Sequence, residues 1–225
     1  MCLLPPTCTP QRRAQPSKAQ SSISRSERAL DKPYAPALLA SLVRADAPSR
    51  SQTEEFITQR FRETFNANLA QFMPVLVRLE RPDGSLAAAL GLRHAQAERL
   101  FVEDYLDLPA ERSVSQALTR RVTRNGLIEV GNLAIAEGTS GRQVALALAR
   151  LISQMPCKYL IFAATAPLRA SLRRLGIAMN ELSWADPQRL GRDAEQWGDY
   201  YRSQPQVVCA EVSPGIARLT HRGLL

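Results

Sequence analysis

Leu127-Ile128-Glu129-Val130-Gly131-Asn132-Leu133-Ala134-Ile135, followed by the turn Glu137-Gly138-Thr139-Ser140-Gly141 and then Arg142 onward, is the stretch that decides the fold. Its first part is a short apolar run containing β-branched residues, the composition of a buried strand. The glycine-containing turn leads into a segment from Arg142 to about Met155 that is apolar on almost every side, which predicts a buried helix. Tyr159 to Ala164 (YLIFAA) is the next apolar run. Strand, turn, helix and strand at this spacing predict a parallel, right-handed crossover, hence an α/β domain.

Outward from this unit the pattern continues on both sides. Pro167 opens a helix with Leu168, Leu172 and Leu175 on one side and Arg169, Arg173 and Arg174 on the other, closed by Gly176. Met179 to Trp184 returns, a polar stretch ends in Trp197-Gly198-Asp199-Tyr200-Tyr201, and Val207 to Val212 reads as a last strand. Upstream, Val75 to Glu80 and Leu86 to Leu92 flank Arg81-Pro82-Asp83-Gly84-Ser85, so they form a hairpin. Before it, Phe56, Ile57, Arg60, Phe61, Thr64, Phe65 and Leu69 recur at three- and four-residue steps, an amphipathic helix that Pro74 stops. The order of elements resembles the acyltransferase fold shared by coenzyme-A-dependent acetyltransferases and acyl-homoserine-lactone synthases. The expected class is therefore α/β (α+β), a GNAT-like fold with a mixed central sheet flanked by helices.

The chain has 225 residues, 45% of them hydrophobic, enough for one full core and short for two. Its net charge of +8 is unevenly spread. Residues 1–50 hold eight basic and three acidic residues, so +5 of the charge lies in a segment rich in Ser, Pro and Arg. Such a segment buries too little surface to offset its ordering entropy. It is read as a disordered tail over 1–50, with at most a helical turn at Ala37 to Val43. The domain spans 51–212, and 213–225 is a short C-terminal tail. The remaining balance gives no reason to expect a specific nucleic-acid partner. Cys2, Cys8, Cys157 and Cys209 lack metal-ligand spacing, and only His94 and His221 could join them, so no metal site is expected. Cys157 and Cys209 read as small core hydrophobes. No apolar run approaches about 18 residues and no secretory signal opens the chain, so a cytoplasmic protein without integral membrane association is expected.

Three places carry candidate chemistry. At the turn Gly138, Thr139, Ser140, Gly141 and Arg142, glycines let the backbone approach a ligand and free helix amides suit phosphate oxygens; the plain alternative is that it is only a turn. Glu129 breaks an apolar strand with a charge, and a buried carboxylate needs a partner or an elevated pKa. Asn132, three residues on, falls on the opposite face of a regular strand unless a bulge at Gly131 intervenes. Finally, Phe101 to Glu111 concentrates Glu103, Asp104, Tyr105, Asp107 and Glu111, either a solvated acidic loop or one side of a cleft. Glu129, Asn132, Glu103 and Tyr105 are the catalytic candidates. Asp104, Asp107, Glu111, Thr165 and Arg169 are the candidates for substrate binding.

Five blocks occur in order: FMP at 72–74, FVEDYLDLPAE at 101–111, EVGNLAI at 129–135, ATAPLRASLRRLGI at 164–177 and WGDYYRSQPQVV at 197–208. Together they resemble the thermostable hemolysin family, a distant relative of acyl-homoserine-lactone synthases. The resemblance implies acyl-CoA or acyl-carrier protein as donor co-substrate, a small amine acceptor, and no tightly bound cofactor. It places the carrier's pyrophosphate at 138–142. Those synthases carry Glu-x-x-Arg before the phosphate turn, whereas here Glu129-Val130-Gly131-Asn132 replaces the arginine, which argues against homoserine-lactone synthesis itself. A lipid-like acylated product would reconcile an enzyme with the hemolysin description.

Overall fold

The computed structural model describes residues 37–225, and these build a mixed seven-stranded sheet with helices on both faces. In chain order the elements are β1 (Leu39–Val43), α1 (Arg50–Phe65), β2 (Val75–Glu80), β3 (Leu86–His94), a 3₁₀ turn (Phe101–Tyr105), α2 (Ala110–Leu118), β4 (Leu127–Ile135), α3 (Gly141–Ile152), β5 (Tyr159–Ala164), α4 (Ala166–Leu175), β6 (Asn180–Trp184), 3₁₀ segments (Pro187–Trp197 and Tyr200–Ser203), β7 (Gln206–Glu211) and α5 (Val212–His221). The strand order is β1-β2-β3-β4-β5-β7-β6. Only β4 and β5 run parallel, as the crossover through α3 requires.

Local chemistry accounts for the elements. Around Pro82-Asp83-Gly84, Gly84 takes a φ of 82°, its N–H donates to the Arg81 carbonyl at 2.9 Å, and Asp83 accepts from Ser85 N at 2.9 Å. Helix α3 starts at a capping box in which Ser140 and Gln143 satisfy each other's backbone amides. Gly176, with φ 83°, closes α4 as expected. One face of the sheet is covered by α1, α2 and the turn before α2, the other by α3, α4 and α5. Thus Leu127 and Ile161 pack under α2, while Ile128 and Phe162 meet α3 and α4. Cys157 and Cys209 are free thiols inside these cores.

Three expectations are corrected here. Leu39–Val43 is a strand, not a helical turn: it pairs antiparallel with β2 from Leu39↔Glu80 to Val43↔Leu76, so the ordered fold begins inside the segment assigned to the tail. The rest of that segment, residues 1–36 with Cys2 and Cys8, lies outside the described residues. Helix α1 ends at Asn66, whose left-handed φ of 51° turns its N–H back to Arg62, well before Pro74; Leu69 is buried in the loop that follows. Residues 212–221 are helical, where the end of the last strand at Val212 and a tail from 213 were expected. Leu219 is 2% exposed and packs with Leu146 of α3 and Leu175 of α4. Two further ties hold this end, Arg222 Nη1 donating to the Arg174 carbonyl at 2.9 Å and Arg150 Nη2 to the Leu224 carbonyl at 3.2 Å. Leu219→Ala should cost about 2–5 kcal/mol by leaving a cavity, which lowers the melting temperature by roughly 5–15 °C in a domain of this size. A thermal melt unchanged by the substitution would show that α5 contributes nothing to the core.

Candidate active site

β4 and β5 pair only from Leu127↔Tyr159 to Glu129↔Ile161 and then part, although β4 runs on to Ile135 and β5 to Ala164. The fork opens into a cavity of about 460 Å³ that reaches through the sheet. On one side it is walled by Phe61 and Phe65 of α1 with Phe101, Trp197 and Tyr200, and on the other by Gly141, Leu168 and Ser171. The aromatic wall is a chain of tilted and edge-to-face rings with centroids 5.2 to 6.2 Å apart. Beyond the fork, an apolar groove of about 130 Å³ runs under α3, α4 and α5 and shares Val130, Leu133, Phe162 and Leu168 with the cavity.

Glu129 stands where the strands part, with 1% of its surface exposed. Its Oε2 accepts from Phe101 N at 2.9 Å and its Oε1 from Val102 N at 2.8 Å, while Arg93 Nη1 of β3 lies 4.0 Å away. Burial pushes the carboxyl up to about 7, against the pull of the two amides and Arg93 toward the anion. A carboxylate that exchanges its proton near neutrality suits a general base.

Asn132 does share that face, because β4 carries a bulge. The β3 register shifts between Ala89↔Ala134 and Gly91↔Gly131, and Asn132 takes a left-handed φ of 50°. Both polar atoms of its side chain are engaged. Oδ1 accepts from Met73 N at 2.9 Å and Nδ2 donates to the Gln71 carbonyl at 3.4 Å, so the side chain straps the segment before β2 to the cavity rim. Gly91 and Gly131 make that possible, since a Cβ on either would overlap the Met73 side chain.

The acidic block divides. Tyr105 lines the cavity, but its phenol is bound to Tyr201 OH at 2.7 Å and burial raises its pKa far above the usual range, so it stays neutral; burial likewise pushes Tyr201 up to about 12. Glu103 does not line the cavity. Although burial works against its charge, the Arg124 guanidinium and the Ala110 and Leu100 amides lower it to about 2. Asp104, Asp107 and Glu111 also lie off the cavity, ion-paired with Arg99, Arg189 and Arg124. Where substrate binding was expected, the block is laced to arginines before and after it in the chain. Thr165, at the start of α4, does line the cavity. Arg169 is 7% exposed, and its Nη1 donates to the carbonyls of Ala164 and Gln204, so it ties β5 to the segment before β7.

At the turn before α3, Thr139 Oγ1 accepts from Arg81 Nη2 at 2.6 Å and Ser140 is spent on the capping box. Gly138, Thr139, Ser140 and Arg142 lie off the cavity, and only Gly141 faces it. The backbone N–H groups of Gly141 and Arg142 have no hydrogen-bond partner among the described residues. The two-amide grip of Phe101 and Val102, the contribution of Arg93, and Trp197 and Tyr200 as cavity walls were missed in the sequence. The signal available was position alone, since Phe101-Val102 immediately precede Glu103. Among the described residues no group of three His, Cys, Asp or Glu is placed to hold a metal, and no helix is long and apolar enough to cross a membrane.

Comparison with known proteins adds a family and a fold. The profile described as thermostable hemolysin matches residues 43–216. FeeM, an N-acyl amino acid synthase from uncultured soil microbes, superposes with a TM-score of 0.54 at 12% identity, over 83% of this chain and 97% of its own. The AHL synthase LasI gives 0.53 at 12%, over 79% and 91%. BjaI, a CoA-dependent acyl-homoserine lactone synthase solved with SAM and isopentyl-CoA, gives 0.51 at 9%, over 83% and 89%. No curated protein sequence matches the chain. The shared architecture is the GNAT-like fold.

The two glutamates make opposite contributions to stability. Glu129 binds its proton more tightly folded than unfolded, so the stability it confers is complete below its usual 4.5 and lost as pH rises through about 7. Glu103, with its pKa lowered from 4.5 to about 2, stabilises above 4.5 and loses that as pH falls. Glu129→Gln should therefore gain on the parent in unfolding free energy between pH 5 and 8, by up to about 3 kcal/mol. Denaturant titrations at the two pH values measure this, and a constant difference between them would refute it.

Proposed function

We propose, for a chain that belongs to the thermostable hemolysin family, that it transfers an acyl group from an acyl-CoA or acyl-carrier-protein thioester to a small amine. The observation that carries the reading is Glu129: a buried carboxylate, poised near neutrality, at the fork of a GNAT-like sheet. The neighbours support the reaction class, since FeeM is named an N-acyl amino acid synthase and BjaI, a CoA-dependent acyl-homoserine lactone synthase, was solved with isopentyl-CoA.

The chemistry assigned to the residues is direct. The thioester lies in the fork, its acyl chain directed into the apolar groove under α3, α4 and α5, and the carrier's phosphate oxygens meet the free amides of Gly141 and Arg142. The amine enters from the aromatic side. Its nitrogen forms the new bond to the thioester carbonyl carbon, Glu129 takes the amine proton, and collapse of the tetrahedral species breaks the C–S bond. The leaving thiolate takes that proton from Glu129 and departs as a thiol, so Glu129 returns ionised. Cys157 and Cys209 are buried thiols with pKa raised to about 11, which disfavours a covalent acyl-enzyme.

Ligand-linked melting tests this before the acceptor is known. A long-chain acyl-CoA at about 100 times its Kd should add roughly 2.7 kcal/mol and raise the melting temperature. Glu129→Gln should keep the shift and lose turnover. Gly141→Asp should lose the shift: an aspartate at a helix start is tolerated by the fold, and its Cβ has room beside Ser171 Oγ at 3.7 Å, but its charge repels phosphate. No shift with either acyl-CoA or acyl-carrier protein would overturn the reading. Dye release from liposomes by the purified protein, with neither thioester nor amine present, would instead favour direct lysis.

The same assignment sets a pH dependence. Because only ionised Glu129 accepts a proton, turnover with saturating thioester should fall about tenfold per unit below roughly pH 7. A profile flat from pH 5 to 8 would remove Glu129 from the proton transfer.

A further inference from the structure

The first amides of the turn after Arg99 are shared between two carboxylates. Leu100 N donates to Glu103 Oε2 at 2.8 Å, and the next two, Phe101 N and Val102 N, donate to Glu129 Oε2 and Oε1. Glu103 is itself gripped from outside the turn. Arg124 meets it with both arms of its fork, Nη1 to Oε1 at 2.7 Å and Nη2 to Oε2 at 2.8 Å, and Ala110 N at the start of α2 adds a bond of 2.8 Å. The same guanidinium reaches the Ala95 carbonyl at 2.6 Å, the Glu98 carbonyl at 3.1 Å and Glu111 Oε2 at 2.8 Å. All these acceptors belong to residues 95–111. A planar, five-donor group that spans them closes the loop on both sides of the turn.

We propose that Glu103 is a positioning residue: clamped by Arg124, it fixes the turn so that the amides of Phe101 and Val102 meet both oxygens of Glu129 and favour its ionised form inside the cavity. The proposal rests on the reading of Glu129 as proton acceptor. It assigns Glu103 no contact with substrate, in keeping with its place off the cavity. The charged groups acting on Glu129 are Arg93 of β3, which favours the anion, and Glu103 itself, which through space opposes it. Arg60 of α1, tied to Glu63 and the Ile135 carbonyl, and the phenols of Tyr105 and Tyr200 line the same cavity.

These opposing influences give the test its sign. If Glu103 acted on Glu129 only as a charge, Glu103→Gln would remove a repulsion and lower the titration midpoint of Glu129. If it acts through the turn, the loss of the Arg124 clamp frees the two amides and the midpoint rises. Arg124→Lys keeps the charge and removes the fork, so a charge-only role predicts no change and the positioning role predicts a rise. The experiment is a pH titration of the full chain with ¹³C-labelled glutamate carboxyls, followed by NMR, with Glu129 assigned by its absence in Glu129→Gln. We expect both variants to raise the midpoint, by about one unit, the worth of one hydrogen bond to a charged group. A fall in Glu103→Gln, or no change in folded Arg124→Lys, overturns the proposal, and either variant decides it if the other does not fold. The titration needs no substrate. A missing acyl-CoA shift would therefore overturn the proposed function without touching this result.

Discussion

A carboxylate withdrawn from water must find other partners or take up a proton, and Glu129 is balanced between the two outcomes. Its partners are not side chains chosen one by one. They are two consecutive backbone amides, each directed at one oxygen, with Arg93 at the edge of direct contact. The site therefore depends on the shape of a short turn, and that shape depends on the ions behind it. Removing one partner of a buried charge costs more than the pair contributes, so the cavity, the turn and the Arg124 network form one unit.

The second constraint is the fork. Parallel strands that stay paired leave no space between them, and here pairing stops at Glu129↔Ile161. What keeps β4 from closing on β5 is visible on its other side. The bulge at Gly131-Asn132 changes which residues face α1, so that Ala134 joins the α1 core while Ile135 faces α3. Asn132 then anchors the segment carrying Met73, which fits only because Gly91 and Gly131 lack side chains where it lies. The cavity is thus bounded by strands that separate for a stated local reason, and not by a chance packing defect.

The outer elements protect this arrangement. β1 extends the sheet beyond the hairpin, and Leu39 and Leu42 remain exposed on it at 65% and 46%. α5 closes the opposite layer over α3 and α4 and forms one wall of the apolar groove. Arg169, expected on an open helix face, is drawn inside to satisfy two carbonyls at the end of β5 and before β7. In each case a group that looks peripheral in sequence supplies a partner that an interior segment lacks.

The sequence by itself determined the elements whose causes are local: the hairpin around Pro82-Asp83-Gly84, the crossover from Leu127 to Ala164, the helix closed by Gly176, and Glu129 as the charge that needed explaining. Periodicity and turn chemistry act within a few residues, so they can be read in order along the chain. The tertiary structure alone decided what depends on partners far apart in sequence. Glu103 and Glu129 are both buried glutamates, yet one meets Arg124 and is held near 2 while the other meets only amides and a more distant Arg93 and is raised to about 7. β1 is too short and too exposed to declare itself without β2, and α5 is apolar on a face that exists only once α3 and α4 are packed. Composition names the ionisable groups. The dielectric around each and the donors that face it are set by the fold, and these divide the acidic block into a clamp, a solvated surface and a cavity wall.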